Sequence, residues 1–245
     1  MSKHFELFDR IDRERDLLRS VDRRALRDDA HPALPIDEAS QNELEKLVNR
    51  LYLVPSPPPR VVVFTSLEPR SGCSQVCAHA ADLLASRVNG SVCLVDANLH
   101  APSLHSLFGV PNQRGLTDIL ADAARDMDTV TSQVPGGLLW LMTSGSPVQD
   151  CELLGRSGGL SARLAELRSR FDFVFIDAPS TSVSRAALAL GRLADGVVVL
   201  LQANSTRREA ARRMKEELEE NNIRVLGAIL YGRTFPIPEA IYKRL

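Results

Sequence analysis

The chain has 245 residues, 44% of them apolar, and 30 basic against 31 acidic side chains give a formal net charge of −1. That length holds one large α/β domain or two small ones, and near-neutrality excludes a global field drawing the chain to DNA or an anionic membrane. No apolar run reaches the roughly 18 residues of a membrane-spanning helix, and Met1-Ser2-Lys3-His4-Phe5 lacks an apolar signal core. The expectation is a cytoplasmic protein in which Cys73, Cys77, Cys93 and Cys151 are reduced thiols.

Residues 1 to about 30 are dense in Arg, Asp and Glu. Phe5, Leu7, Phe8, Ile11 and Leu17-Leu18 recur at spacings of three and four, which predicts a charged amphipathic helix. It reads either as a solvated leader or as a docking helix for a partner. His31-Pro32 to Pro35 breaks the pattern, and Ile36 to Leu53 resumes it with Leu44, Leu47, Val48 and Leu51 on one face. Pro55-Ser56-Pro57-Pro58-Pro59 is a stiff, extended linker. The expected division is a helical extension and linker over residues 1–57 and an α/β domain over residues 58–245.

Val61-Val62-Val63-Phe64 is a short buried strand, a polar turn follows, and the apolar period from Val76 to Leu84 reads as a helix. Strand, turn and helix N-terminus form the geometry that binds phosphate, because free backbone N–H groups and the helix dipole converge on one point. The full phosphate-loop pattern ends in Gly-Lys-Ser/Thr. Here it ends in Gly72-Cys73-Ser74, without the lysine. A helix starting after Gly72 places Cys73 in its first turn, where the dipole, with Arg70 nearby, favours a thiolate. Cys73 is then expected to alkylate most readily of the four cysteines, with Cys93 inert inside an apolar strand. The other reading makes Cys73 and Cys77 small core side chains; a metal site with His79 lacks further ligands.

Further apolar strands follow at Ser91–Val95, Leu138–Met142, Phe173–Ile176, Val197–Leu201 and Arg224–Leu230. Helical signals fall at Arg185–Leu193 and Thr206–Asn221. Continuously apolar strands alternating with helices predict a doubly wound, mainly parallel sheet covered on both faces. Such sheets bind ligands at the carboxyl ends of their strands, where Ser66, Asp96, Asp177 and Gln202 fall. A strand-end aspartate beside a phosphate loop orients Mg²⁺ or its water, since a hard cation takes oxygen ligands. Asp177, at the end of Phe173-Val174-Phe175-Ile176, fits the Walker B pattern, and Asp96 is a second carboxylate at an equivalent end.

Over residues 36–245 the chain resembles the bacterial tyrosine kinases of capsule and exopolysaccharide synthesis, within the larger MinD/ParA-like group of phosphate-loop ATPases. The motifs that carry the likeness are Val95-Asp96-Ala97-Asn98-Leu99-His100-Ala101-Pro102, Phe108-Gly109, Gly115-Leu116-Thr117-Asp118-Ile119-Leu120, Gly145-x-Pro147 with Glu152-Leu153-Leu154, and Phe171 to Pro179. The resemblance implies a phosphate-loop NTPase fold with ATP or ADP and Mg²⁺ held by Arg70, Ser71, Gly72, Cys73, Ser74 and Gln75. Tyr231 stands where relatives place an asparagine near the adenine. Ser74, Asp96 and Asp177 are the implied Mg²⁺ residues, and Asp96 and Asp177 the implied catalytic pair.

The departures are specific. The family loop reads Pro-Gly-Glu-Gly-Lys-Ser-Thr; this one reads Pro69-Arg70-Ser71-Gly72-Cys73-Ser74-Gln75. Glu68 replaces the signature lysine of the MinD/ParA group, Asn98 an aspartate and His100 an arginine. Glu43-x-x-Lys46-x-x-Asn49 is a faded form of the family's oligomerisation motif, and the C-terminal tyrosine cluster is reduced to Tyr242. Arg70 strains the loop wherever a positive φ is required, yet it is also a candidate substitute cation.

The leading expectation is a regulatory partner with weakened ATP binding and lost kinase activity. It would work with a membrane polysaccharide co-polymerase or chain-length regulator, at the inner membrane face through that partner, and form a homo-oligomer. The alternatives are a working ATPase or tyrosine autokinase, and a ParA-like DNA-associated switch. The basic residues Arg207, Arg208, Arg212, Arg213 and Lys215 speak for DNA. The i,i+4 pairs Arg212–Glu216 and Arg213–Glu217 speak for a solvated face, so no nucleic acid is expected.

Overall fold

The computed structural model describes residues 38–55, 57–122, 124–134, 137–146 and 159–232. The expected helix over residues 1–30, Pro147, Cys151, Glu152-Leu153-Leu154 and Tyr242 lie outside them.

Runs too apolar to tolerate water on either side become the central strands. β1 (Val61–Ser66) and β2 (Val92–Asp96) are buried at every position. β5 (Phe173–Asp177) is buried from Val174 onward and β6 (Gly196–Gln202) as far as Leu200. With β3 (Thr131–Gln133), β4 (Leu139–Met142) and β7 (Val225–Tyr231) they form one seven-stranded sheet in the order β3-β4-β2-β5-β1-β6-β7. All neighbours are parallel except β3, which runs antiparallel to β4. The expected mainly parallel, doubly wound architecture is what the chain adopts. β3 is absent from the sequence reading because Thr131-Ser132-Gln133 has no apolar run; it is an edge strand that forms by pairing with β4.

Strand alternation divides the core into two layers. Val61, Val63, Cys93, Val95, Val174 and Ile176 face helices α4 (Leu116–Ala121), α5 (Gly159–Arg170), α6 (Ala186–Leu193) and α7 (Arg208–Glu220). Val62, Phe64, Val92, Leu94 and Phe175 face α1 (Glu38–Val48), α2 (Cys73–Ala85) and the short α3 (Leu104–Leu107). α1 runs into a π-helical turn, Asn49–Leu53, whose wider winding brings Leu51 and Tyr52 onto the core beside Leu44 and Val48. The Tyr52 ring meets Phe173 edge-on at 5.3 Å and Phe175 at 5.5 Å. The predicted apolar face of this helix is therefore its packing face. No described helix is long and apolar enough to cross a membrane.

Candidate phosphate-binding site

Register fixes the site. Asp177 pairs with Phe64 of β1 on one side and with Asp96 of β2 on the other, so the two aspartates end adjacent parallel strands. The chain leaves β1 through residues 67–72 and enters α2 at Cys73. Gly72 caps that helix at φ 79°, and Arg70 also has a left-handed φ of 60°. The first turn carries no acidic residue, and its leading N–H groups, from Cys73, Ser74 and Gln75, have no intrahelical acceptor. Loop, helix terminus and both aspartates thus meet at the carboxyl end of the sheet, as the sequence places them.

Individual side chains differ in what they do there. Asp96 is engaged in local structure: it accepts the backbone N–H of Ser103 and Leu104 at 3.0 Å and of Asn98 at 3.2 Å, so it ties down the entry to α3. Burial pushes its carboxyl up to about 6, against the pull of those three donors. Asp177 is fully buried, and neither oxygen has a hydrogen-bond partner among the described residues. Burial raises its pKa well above the ordinary range and Asp96 adds to this; Ser74 leans toward it and opposes both, without a bond of standard geometry. Ser71 likewise buries an unpartnered hydroxyl in the loop. Orphaned buried oxygens of this kind are costly, about 1–3 kcal/mol each, and more for a charge.

Cys73 departs from expectation. It is buried, packs in the core layer with Cys77, and faces Asp177. Burial raises its thiol well above the ordinary value and the Asp177 charge raises it further, so the side chain is a neutral thiol. Its backbone does sit in the first helical turn, but the sulfur points inward, and desolvation outweighs the dipole. The expected thiolate and its ready alkylation are therefore corrected in favour of the small-core-residue reading. Cys93 is buried in β2, its thiol raised by desolvation, as expected.

Arg70 and Gln75 are exposed at the rim, and neither Asp96 nor Asp177 is paired with an arginine or lysine among the described residues. Tyr231, at the end of β7, lays the tip of its ring over the loop: a Cβ on Gly72 would lie 3.5 Å from its Cζ. Two contacts had no signal as site features in the sequence. Thr206 donates its hydroxyl to Glu68 at 2.9 Å, tying the loop to the end of β6. Thr65, a hydroxyl inside an apolar run, donates to the Pro179 carbonyl at 2.8 Å and so links β1 to the segment after Asp177.

The donor set fits a Mg²⁺–phosphate group incompletely but coherently. Asp177 offers two buried oxygens without a hydrogen-bond partner among the described residues and Ser74 a hydroxyl directed toward it, while the helix end offers N–H groups. No cluster of three or more His, Cys, Asp or Glu side chains forms a metal cage among the described residues, so phosphate and water would have to complete the coordination.

Next to the loop, a cavity of ≈ 460 Å³ opens between Leu67, Thr181, Ser182, Arg207 just before α7, and the α7 side chains Arg213 and Met214; residues 70–75 do not line it. On α7, Arg212 pairs with Glu216 and Lys215 with Glu219. Arg213 and Glu217 line the cavity without forming the expected ion pair among the described residues.

No family model matches the chain. It is 32% identical over 173 residues to the tyrosine-protein kinase YwqD of Bacillus subtilis, covering 70% of this chain and 72% of that protein. The kinase domain of Escherichia coli tyrosine kinase ETK matches with a TM-score of 0.76 and 22% identity, over 84% of this chain and 82% of that one. The septum site-determining protein MinD of Pyrococcus horikoshii, in complex with Mg-ADP, matches with a TM-score of 0.61 and 19% identity, over 75% and 76%. The two structural likenesses speak for the fold.

Proposed function

The chain belongs to the bacterial tyrosine-protein kinase family of phosphate-loop proteins, and from that premise we propose that it is a divergent member with weak nucleotide binding and no tyrosine-kinase activity. Its role is then regulatory. The observation that carries this reading is Cys73, a buried neutral thiol where the loop pattern has lysine.

Phosphoryl transfer depends on positioning and on charge stabilisation at the transferring phosphate. In this site Asp177 and Asp96 are the acidic groups, and the side chain facing Asp177 is a thiol. A lysine there would offset one of the two acidic charges and contribute a charge-assisted hydrogen bond, about 1.5–3 kcal/mol of binding. With Cys73 in its place, the N–H groups of the α2 terminus and Ser74 would hold phosphate, and Asp177 would hold a Mg²⁺ ion supplying the balancing charge. Tyr231, whose ring lies against Gly72, would then meet the remainder of an ATP or ADP molecule.

The same reading assigns residues 58–245 to the nucleotide-binding-type domain and residues 1–57 to an extension. It makes a membrane polysaccharide co-polymerase the partner in exopolysaccharide assembly, with the chain at the inner membrane face through that partner, and it allows a homo-oligomer. Titration of Mg-ATP and Mg-ADP tests it: weak binding by the natural chain and at least about tenfold tighter binding by Cys73→Lys support the reading. Transfer of labelled phosphate from ATP to tyrosine, abolished by Asp177→Ala, would overturn it.

A further inference from the structure

At the amino-terminal end of the sheet, away from the phosphate loop, lies a second concavity of ≈ 420 Å³. Four arginines line it: Arg50 from the π-helical turn, Arg60 just before β1, Arg168 in the last turn of α5 and Arg224 just before β7. The one acidic lining residue is Asp195, just before β6. Four guanidiniums against one carboxylate leave three net positive charges on this wall, in a chain whose whole formal charge is −1.

Two of the four arginines and the carboxylate are committed to the fold. Asp195 accepts the backbone N–H of Arg60 and Val61 at 2.7 Å each and is gripped by Arg168 at 3.0 and 3.2 Å. Burial pushes its carboxyl up, but Arg168 and those backbone donors outweigh this and hold it below the ordinary range. Arg60 spends its guanidinium on the carbonyls of Arg168, Phe171 and Asp172. Arg50 and Arg224, by contrast, are exposed, and their guanidiniums make no hydrogen bond or ion pair to a described residue. The acid that might have neutralised them is already occupied.

The rest of the wall suits an anion as well. The rim is the run of prolines at positions 55 and 57–59, which is stiff and carries no backbone N–H. Two uncommitted guanidinium forks present planar pairs of donors, the geometry that matches phosphate oxygens. The volume lies within the range of small-molecule sites, about 300–1,000 Å³, and the charge sits in a concavity rather than along a stripe.

We propose that this cavity binds a small soluble anion carrying a diphosphate or two neighbouring phosphates, held by Arg50 and Arg224, at a site separate from the phosphate loop. The phosphate chemistry could equally be offered by a lipid headgroup, and the experiment separates the two sources. Inorganic pyrophosphate is titrated calorimetrically, without Mg²⁺, into the full chain, into Arg50→Gln/Arg224→Gln and into Ser74→Ala. Both arginines are solvent-facing and uncommitted, so the double variant should fold as the parent does, checked by circular dichroism.

The expected result is binding to the parent, at least about tenfold weaker binding to the double variant, and unchanged binding to Ser74→Ala. Arg50→Lys/Arg224→Lys should fall between, because charge is kept and the forks are lost. Three results would overturn the proposal: equal binding by parent and double variant, a loss confined to Ser74→Ala, or no binding of soluble pyrophosphate alongside sedimentation with phosphatidic-acid vesicles.

Discussion

Arg70 holds φ 60° on the loop beside Gly72, a conformation that strains any residue with a Cβ by about 1–2 kcal/mol. Its side chain is exposed, so no packing offsets that strain. Arg70→Gly is expected to raise stability by about 0.5–1 kcal/mol, the strain relieved less the extra entropy glycine loses on folding. Urea denaturation of the two proteins measures it, and a loss of stability would show that the arginine makes a contact worth more than the strain. The same substitution tests whether Arg70 stands in for the missing lysine: if Mg-ATP binding survives it, Arg70 is not the substitute cation.

Among the elements, the junction of α4 and β4 is packed to its limit. Gly115 precedes α4, and a Cβ there would lie 2.0 Å from the Thr143 carbonyl oxygen at the end of β4. The approach is sealed by Leu116 N–H donating to that carbonyl at 2.9 Å and by Gly115 N–H donating to Asp118 at 2.9 Å. The backbone there has φ −176°, which any residue adopts, so glycine is required by space alone. Gly115→Ala should cost more than about 2 kcal/mol in chemical denaturation, because backbone rather than a flexible side chain has to move. α5 meets the same helix through Arg163, buried, which donates to the Ile119 carbonyl at 3.2 Å and the Asp122 carbonyl at 3.1 Å, capping the end of α4.

For the whole molecule these buried acids set a pH profile. Asp96, with a pKa of about 6 in the folded protein, contributes stability that is fully present below its ordinary value near 3.9. That contribution is lost as pH rises through about 6, and Asp177, raised well above the ordinary range, extends the loss toward higher pH. Asp195 acts in the opposite sense: its lowered pKa gives stability present above about 3.9 and lost as pH falls through the folded value. These three groups together place maximal stability near about pH 4, where the Asp195 contribution is in place and that of Asp96 and Asp177 has not yet begun to fall. Asp177→Asn should flatten the alkaline side of the profile, and Mg²⁺ should raise stability at pH 8 in the parent but not in the variant. Denaturant midpoints across pH read both; a parent profile flat from pH 5 to pH 8 would refute the assignment.

The six apolar strands, the parallel sheet, the helix after Gly72 and the placement of Asp96 and Asp177 at strand ends were all legible in the residues; that those two ends are neighbours comes from the pairing of β2 with β5. Each rests on a local pattern: an apolar run long enough to be buried on both faces, followed by a polar residue at its carboxyl end. Fold class and the position of the candidate site therefore follow from the chain read in one dimension. What side chains do within that frame depends on partners distant in sequence, and only the tertiary structure decides it. Cys73 occupies the first helical turn, as the sequence indicates, but its thiol is neutral because Asp177, more than a hundred residues on, and the surrounding core enclose it. Asp96 and Asp177 look alike as strand-end acids; the turn into α3 satisfies one and leaves the other without a donor. The antiparallel β3 exists through β4, and the arginine-lined cavity through four segments brought together at the sheet's far end. Periodicity records which residues avoid water, whereas charge and hydrogen bonding are settled by the groups that folding brings within a few ångströms.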